Sequence, residues 1–207
     1  MPLVYQQNIN LTTKLGVWHI TEEESFFSEK IANQNQVRHP QKRLQHLAGR
    51  YLLKELYPQF PLLEILISDT LKPFIPDESF HFSISHCRDY AAAIVSSDSR
   101  VGADIEIIQT KINRIKDKFL TKYEQELLYA LPLPAENSLT LTWSIKEAVY
   151  KWYGSGKVDF KGHIHIVSIS FAEGLYRAEI VFTREERIKI NVHGLFLNNY
   201  CVTWVTS

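Results

Sequence analysis

Sulfur is scarce in this chain. Only two cysteines occur, Cys87 and Cys201, among 207 residues. Neither belongs to a Cys-x-x-Cys pair, which speaks against a zinc ribbon or a dithiol redox motif. Long apolar runs are missing too. No stretch approaches the ~18 uninterrupted apolar residues that a membrane-spanning helix needs. The start, MPLVYQQNINLTTKLG, lacks a basic segment followed by an apolar one. The expectation is therefore no secretory signal, a cytoplasmic location and two reduced thiols. Neither sign of charge prevails. Lys plus Arg is 23 and Asp plus Glu is 23, so the formal net charge is zero. That balance argues against a protein built to coat nucleic acid or an anionic membrane, but it is compatible with a local basic groove for one phosphorylated ligand. No phosphate-cradling G-x-x-x-x-G-K loop occurs. No repeat and no low-complexity segment is evident.

What is present is ordinary globular material. Hydrophobic residues make up 45% and charged residues 22%. A chain of this length buries roughly 70% of the surface its unfolded form exposes, so it folds without a disulfide or metal staple. Residues 15–20 read as a strand. Thr21-Glu22-Glu23-Glu24 reads as an N-cap with acids in the first turn of a helix. A second helix is expected from Gln41 to Leu56, closed by Pro58 and Pro61. Residues 62–68 look strand-like, and 71–76 form a proline-punctuated loop. Strands are expected over 80–85, 91–96 and 101–107. A helical stretch near 116–131 and the clearest helix, 139–153, follow. Strands over 163–171, 176–182, 188–192 and 200–205 complete the chain. The pattern predicts an α+β fold of two subdomains, 1–100 and 101–207, the second carrying the principal acidic motif.

Four motifs carry chemistry. In Gly102-Ala103-Asp104-Ile105-Glu106, the strand period of two puts both carboxylates on one face. They repel unless a cation or base lies between them, and oxygen-only ligation suits a hard cation such as Mg²⁺. The plain alternative is a pair of surface acids on an edge strand. In Trp143-Ser144-Ile145-Lys146-Glu147-Ala148-Val149-Tyr150-Lys151, helical spacing groups Trp143, Glu147 and Lys151 on one face, with Lys146 and Tyr150 alongside. Glu147 and Lys151 form an i,i+4 pair, which as a solvated salt bridge contributes only ~0.3 kcal/mol. Alternatively Glu147 is a third carboxylate for the cation and a lysine meets phosphate. Ser83-Ile84-Ser85-His86-Cys87 ends a strand. Adjacent residues on an extended chain point apart, so His86 and Cys87 make a poor nucleophilic dyad. Last come the basic residues Arg38, Lys42, Arg43, Arg50 and Lys54, and Lys72 before Pro73, whose ring keeps Lys72 extended.

In order and spacing these pieces resemble the phosphopantetheinyl transferases of the longer, Sfp-like class. Leu71-Lys72-Pro73-Phe74-Ile75-Pro76 is similar to that family's G-K-P-x-I-P loop, and Phe82-Ser83-Ile84-Ser85-His86 to its F-N-I/L-S-H strand. The Gly102–Glu106 and Trp143–Lys151 segments resemble its G-x-D-x-E and W-S/T/C-x-K-E-x-x-x-K signatures. Arg43-Leu44 to Gly49-Arg50 looks like its early basic helix. Leu71 replaces the usual Gly, Ser83 the usual Asn, and Ala103 a commoner Ile or Val.

The resemblance implies two similar α+β halves in a pseudo-twofold arrangement, with coenzyme A in the cleft between them. It implies transfer of the 4′-phosphopantetheine arm of coenzyme A to a serine of an apo acyl carrier protein or peptidyl carrier domain, releasing 3′,5′-ADP. It places Mg²⁺, or Mn²⁺ in its stead, on Asp104, Glu106 and Glu147. Glu147 is the candidate base, Lys151 meets the pyrophosphate, and Asp104, Glu147 and Lys151 form the catalytic set. Coenzyme contacts fall on Lys72, Pro73, Ser85, His86, Lys146 and Lys151, with Arg43 and Arg50 as further phosphate candidates. Lys72, Ser85 and His86 are expected around the adenosine 3′-phosphate. The basic segment 111–119, with apolar residues interleaved, is the expected docking face for an acidic carrier. A monomer is expected, with no nucleic acid or membrane partner. Two rival readings remain at this level: another Mg²⁺-dependent phosphoryl enzyme, and an inactive protein that only binds coenzyme A or a carrier.

Overall fold

The computed structural model describes residues 2–31 and 37–207. Strands β1 (Leu3–Asn8) and β2 (Thr13–His19) form a hairpin, followed by helices α1 (Glu24–Ser28) and α2 (Pro40–Leu56). The two-residue strands β3 (Leu66–Ile67) and β4 (Pro73–Phe74) lead into β5 (His81–Cys87), β6 (Tyr90–Ser96) and β7 (Val101–Ile107). Then come α3 (Lys116–Phe119), α4 (Lys122–Tyr129) and α5 (Ala135–Tyr153). Strands β8 (Ile164–Ala172), β9 (Leu175–Phe182), β10 (Ile188–Leu197) and β11 (Tyr200–Thr206) close the chain. Two main antiparallel sheets result, ordered β1-β2-β6-β5 and β7-β11-β10-β9-β8, and β3 and β4 pair as a third, two-stranded one.

Side-chain alternation decides how the layers stack. On β6, Ala91, Ala93 and Val95 pack under α2 with Leu47, Leu52 and Leu56, while Ala92 and Ile94 point the other way. On β7, Val101, Ala103 and Ile105 meet Ala92 and Ile94 across the two sheets. The opposite face of β7 receives α5. The order of layers is α2, first sheet, second sheet, α5. This is the expected α+β class, with two sheet-and-helix units compatible with a pseudo-twofold. No helix among the described residues is long and apolar enough to cross a membrane.

Several elements differ from expectation, each for a local reason. Residues 62–68 do not form one strand. Leu62–Glu64 is a 3₁₀ turn, and only Leu66 and Ile67 pair, with Phe74 and Pro73. Pro73 offers no N–H, so that ladder stops at once. The stretch 116–131 breaks into α3 and α4. Thr121 and Glu124 form a reciprocal capping box that starts a new helix, a signal written in the sequence as T-x-x-E. Thr21 caps nothing. Glu23 is the N-cap of α1, and the Glu22 carboxylate accepts from Trp18 Nε1 and the Thr21 N–H, each at 3.1 Å. Strand β1 was not expected. It is the edge of the first sheet, with alternating half-buried and exposed residues.

Candidate active site

The site begins with a close approach. A Cβ on Gly102 would collide with the Ala148 carbonyl oxygen and the Trp152 backbone nitrogen. Glycine here lets α5 lie against β7, and the strand period then aims Asp104 and Glu106 at the same helix. From α5, Trp143, Ser144, Glu147 and Lys151 face them. Helical spacing aligns Trp143, Glu147 and Lys151, and puts Ser144 one turn before Glu147. Strand β5 supplies the third wall. Ser83, Ser85 and Cys87, at the same parity, meet Ala103, Asp104 and Glu106 in turn.

Asp104 is buried and accepts three charge-assisted hydrogen bonds. Ser85 Oγ donates at 2.8 Å and Lys151 Nζ at 2.6 Å to Oδ1, and Ser144 Oγ donates at 2.9 Å to Oδ2. Lys151 Nζ also reaches Ser85 Oγ at 2.7 Å. Thr203 backs Ser144: its hydroxyl lies 2.9 Å from Ser144 Oγ and donates to the Ser144 carbonyl at 2.8 Å. Glu106 is held by Trp143 Nε1 at 3.0 Å, with Cys87 Sγ 3.9 Å away. Burial, then the Asp104 charge, push the Glu106 carboxyl up to about 7. Burial, then Asp104, also push Glu147 up to about 7, with Lys151 opposing and Glu106 adding.

Three carboxylates thus share one ammonium. Fully ionised, the group carries an excess of negative charge that burial makes costly. The donor set, oxygen only, fits a hard divalent cation. Among the described residues, no three acidic, histidine or cysteine side chains close on a common point. Asp104, Glu106 and Glu147 are neighbours whose convergence is incomplete, with the Lys151 ammonium drawn onto Asp104.

Other expected site residues sort differently. Ser85 and His86 do not share one phosphate pocket, because adjacent strand residues face opposite ways. Ser85 joins the carboxylates. His86 lines a cavity of about 200 Å³ with His46, Arg50, Leu71, Pro73 and Ile84. Burial, then Arg50 and His86, pull His46 down to about 4, so it faces this cavity uncharged at neutral pH. Lys72 does not line that cavity. Its ammonium turns to the end of α5, 3.4 Å from the Trp152 carbonyl. Arg43 is drawn away altogether: it pairs with Glu24 at 2.7 Å and donates to the Val37 carbonyl.

Lys146 is the clearest correction. It is not a coenzyme contact. Fully buried, its ammonium pairs with Glu124 at 2.8 Å and donates to the carbonyls of Phe119, Phe160 and Ile164 at 2.7–2.9 Å. Four acceptors saturate three N–H bonds, so nothing is left for a ligand. Ser144, His46 and Thr203 were not singled out from sequence. Ser144 lies within the signature, and His46 precedes Arg50 by four residues on α2, a same-face spacing that offered the clue.

The family model of the 4′-phosphopantetheinyl transferase superfamily matches residues 100–205, the segment that holds both signatures. The chain belongs to that superfamily. Similar curated proteins include enterobactin synthase component D of Salmonella typhi, 35% identical over 124 residues, 58% of this chain and 52% of that protein. They also include the 4′-phosphopantetheinyl transferase AcpT of Escherichia coli (strain K12), 38% identical over 73 residues, 35% of this chain and 36% of that protein. This phosphopantetheinyl transferase homologue spans about half the length of the first of these relatives. In shape it bears a loose likeness to the holo-[acyl-carrier-protein] synthase (AcpS) of Thermotoga maritima, with a TM-score of 0.41 and 14% identity over 51% of this chain and 61% of that one.

Proposed function

We propose that this superfamily member transfers the 4′-phosphopantetheine arm of coenzyme A to a serine of an apo acyl or peptidyl carrier protein. The observation that carries the reading is the buried cluster of Asp104, Glu106, Glu147 and Lys151, built from the two family signatures. Asp104, Glu106 and Glu147 would hold Mg²⁺, which when bound supplies positive charge against the pyrophosphate.

The chain's own groups account for the rest. A new bond forms between the carrier serine oxygen and the phosphorus that bears the pantetheine arm. The bond from that phosphorus to the bridging oxygen breaks, and 3′,5′-ADP leaves. The serine proton passes to Glu147. In the ion-free site burial and the Asp104 charge push this carboxyl up to about 7, surroundings that favour proton uptake. Lys151 meets the charge that grows on the leaving phosphate. Ser85 and Ser144 fix Asp104, and Trp143 fixes Glu106, by the hydrogen bonds described. Arg50 and His86, with His46, line the cavity best suited to the coenzyme's 3′-phosphate, and Leu71, Pro73 and Ile84 form its apolar wall.

The carrier docks on the segment after β7. Lys111, Arg114 and Lys118 are exposed there, while Ile112 and Phe119 are buried. The face offered is therefore basic rather than amphipathic, and it favours an acidic partner by charge.

The test is a transfer assay read by intact mass. Protein, coenzyme A and apo acyl carrier protein are combined with and without Mg²⁺, and then with apo peptidyl carrier domains. A gain of one phosphopantetheine, dependent on Mg²⁺ and lost in Asp104→Ala and Glu147→Ala, supports the reading. No transfer to any carrier while coenzyme A still binds would sink it in favour of a binding protein.

A further inference from the structure

Another cavity is lined by none of the three site carboxylates and shares only Pro73 and Phe82 with the cavity at Arg50 and His86. It measures about 460 Å³ and opens where the two halves meet. The first half contributes Lys72, Phe74, Phe80 and Phe82, and the second contributes Val101 and Tyr153. Arg100, in the connection between the halves, completes one wall. Its volume falls within the range of small-molecule sites.

Neither cation on that wall has an ion-pair partner among the described residues; Lys72 is half-buried and Arg100 is exposed. Ion pairs among the described residues involve Arg43, Lys146, Lys151 and Arg184, but neither Lys72 nor Arg100. Lys72 has only the Trp152 carbonyl at 3.4 Å, and the Arg100 guanidinium lies over the Trp152 ring at 5.8 Å from its centroid. Burial, then the charge of Arg100, pull Lys72 down to about 8. Asp69 and Glu78 border the cavity as exposed rim residues, outside ion-pair distance of both cations. The C-terminal carbonyls of α5 attract cations, which explains why one cation sits there. They do not explain two, side by side, in front of a cavity with aromatic walls.

We infer that this cavity is a second small-molecule site, separate from the coenzyme cleft, for an organic anion with a single-ring body. Its carboxylate or phosphate would bridge Lys72 and Arg100, and its ring would lie among Phe74, Phe80, Phe82 and Tyr153. Such a ligand touches both halves. It binds the folded chain and not the unfolded one, so it raises the melting temperature in proportion to its occupancy.

Saturation-transfer NMR tests this with phenyl phosphate and benzoate as probes, on the full chain with Mg²⁺ and saturating coenzyme A. The expected result is saturable binding of at least one probe, weakened roughly fivefold or more by Arg100→Gln, as befits loss of a charge-assisted bond. The control Lys189→Gln, on an exposed position of β10, leaves it unchanged. Tighter binding of phenyl phosphate assigns a phosphate ligand, and tighter benzoate a carboxylate. Absence of saturable binding, indifference to Arg100→Gln, or displacement by coenzyme A would each overturn the proposal. The probes are also titrated without coenzyme A. A failure of coenzyme A to bind therefore counts against the transferase reading and leaves this result readable by itself.

Discussion

At the scale of single residues, Glu147 shows how the cluster ties chemistry to stability. An unfolded Glu titrates near 4.3, whereas burial and Asp104 push Glu147 up to about 7 in the folded chain. A folded pKa raised above the unfolded one contributes stability that is complete below the unfolded value. That stability is lost as pH rises through the folded value. The ion-free protein should therefore lose stability between about pH 4 and pH 7 through this group. Glu147→Gln removes that component. Urea titrations at several pH values should show the variant equal to or below the parent near pH 5 and above it at pH 8. Mg²⁺ at pH 8 should raise the melting temperature of the parent more than that of the variant. A stability difference independent of pH would mean that Glu147 is ionised throughout.

Lys146 belongs to the same helix and has the opposite meaning. In sequence it is indistinguishable from a ligand lysine, because the signature places it next to Glu147. Its acceptors come from Phe119, Glu124, Phe160 and Ile164, on four separate segments that only the tertiary fold gathers. Lys146→Met strands a buried Glu124 carboxylate and should lower stability by about 3–5 kcal/mol. Coenzyme A affinity measured well below the melting temperature should stay within about twofold of the parent, since affinity tracks direct contacts. A large loss of affinity with stability intact would return Lys146 to the site. Ser85 and His86 teach a related lesson. The alternation that separates His86 from Cys87 also separates Ser85 from His86, so their division between two pockets was legible from spacing alone.

At the scale of elements, the most readable parts were those whose periodicity carries the site. Strand β7 matches its expected bounds, 101–107, and the Gly102–Asp104–Glu106 spacing states which face meets a helix. Helix α5 was legible except for its first turn, which begins directly after Pro134. The β3–β4 hairpin was not, because proline chemistry and tight turns outweigh the apolar run of 62–68. Its turn contains the exposed Leu71 at φ +64°, in the left-handed region that glycine favours. Leu71 stands where the resembling loop carries Gly. The conformation costs about 1 kcal/mol for a residue with a Cβ. Leu71→Gly relieves that strain but gives the unfolded chain more freedom, an opposing effect of about 0.4–1 kcal/mol. Leu71 also lines the cavity with Arg50 and His86. Thermal unfolding should thus show a change between zero and about +0.6 kcal/mol, together with weaker coenzyme A binding from the lost apolar wall. A loss of more than about 1 kcal/mol would mean that the Leu71 side chain packs to net benefit despite its exposure.

At the scale of the whole molecule, zero net charge conceals an uneven distribution that the proposed function can use. Asp104, Glu106 and Glu147 are turned inward around Lys151, while Lys111, Arg114 and Lys118 are exposed. An acidic partner approaching the second half meets Lys111, Arg114 and Lys118 first. Their contribution is long-range and screened, so it acts on encounter more than on the chemical step. Replacing all three by Glu should raise the KM for an acidic carrier roughly tenfold or more at low salt. Kcat should change little, because no group near Asp104 has been touched. The KM for coenzyme A should also hold, since none of the three lines the cavity with Arg50 and His86. Salt provides the internal control. In the parent, added NaCl should raise the carrier KM toward that of the variant, and in the variant it should lower it or leave it flat. A carrier KM that ignores both substitution and salt would move docking off this face. Steady-state kinetics against a single carrier, at two ionic strengths, separates the cases.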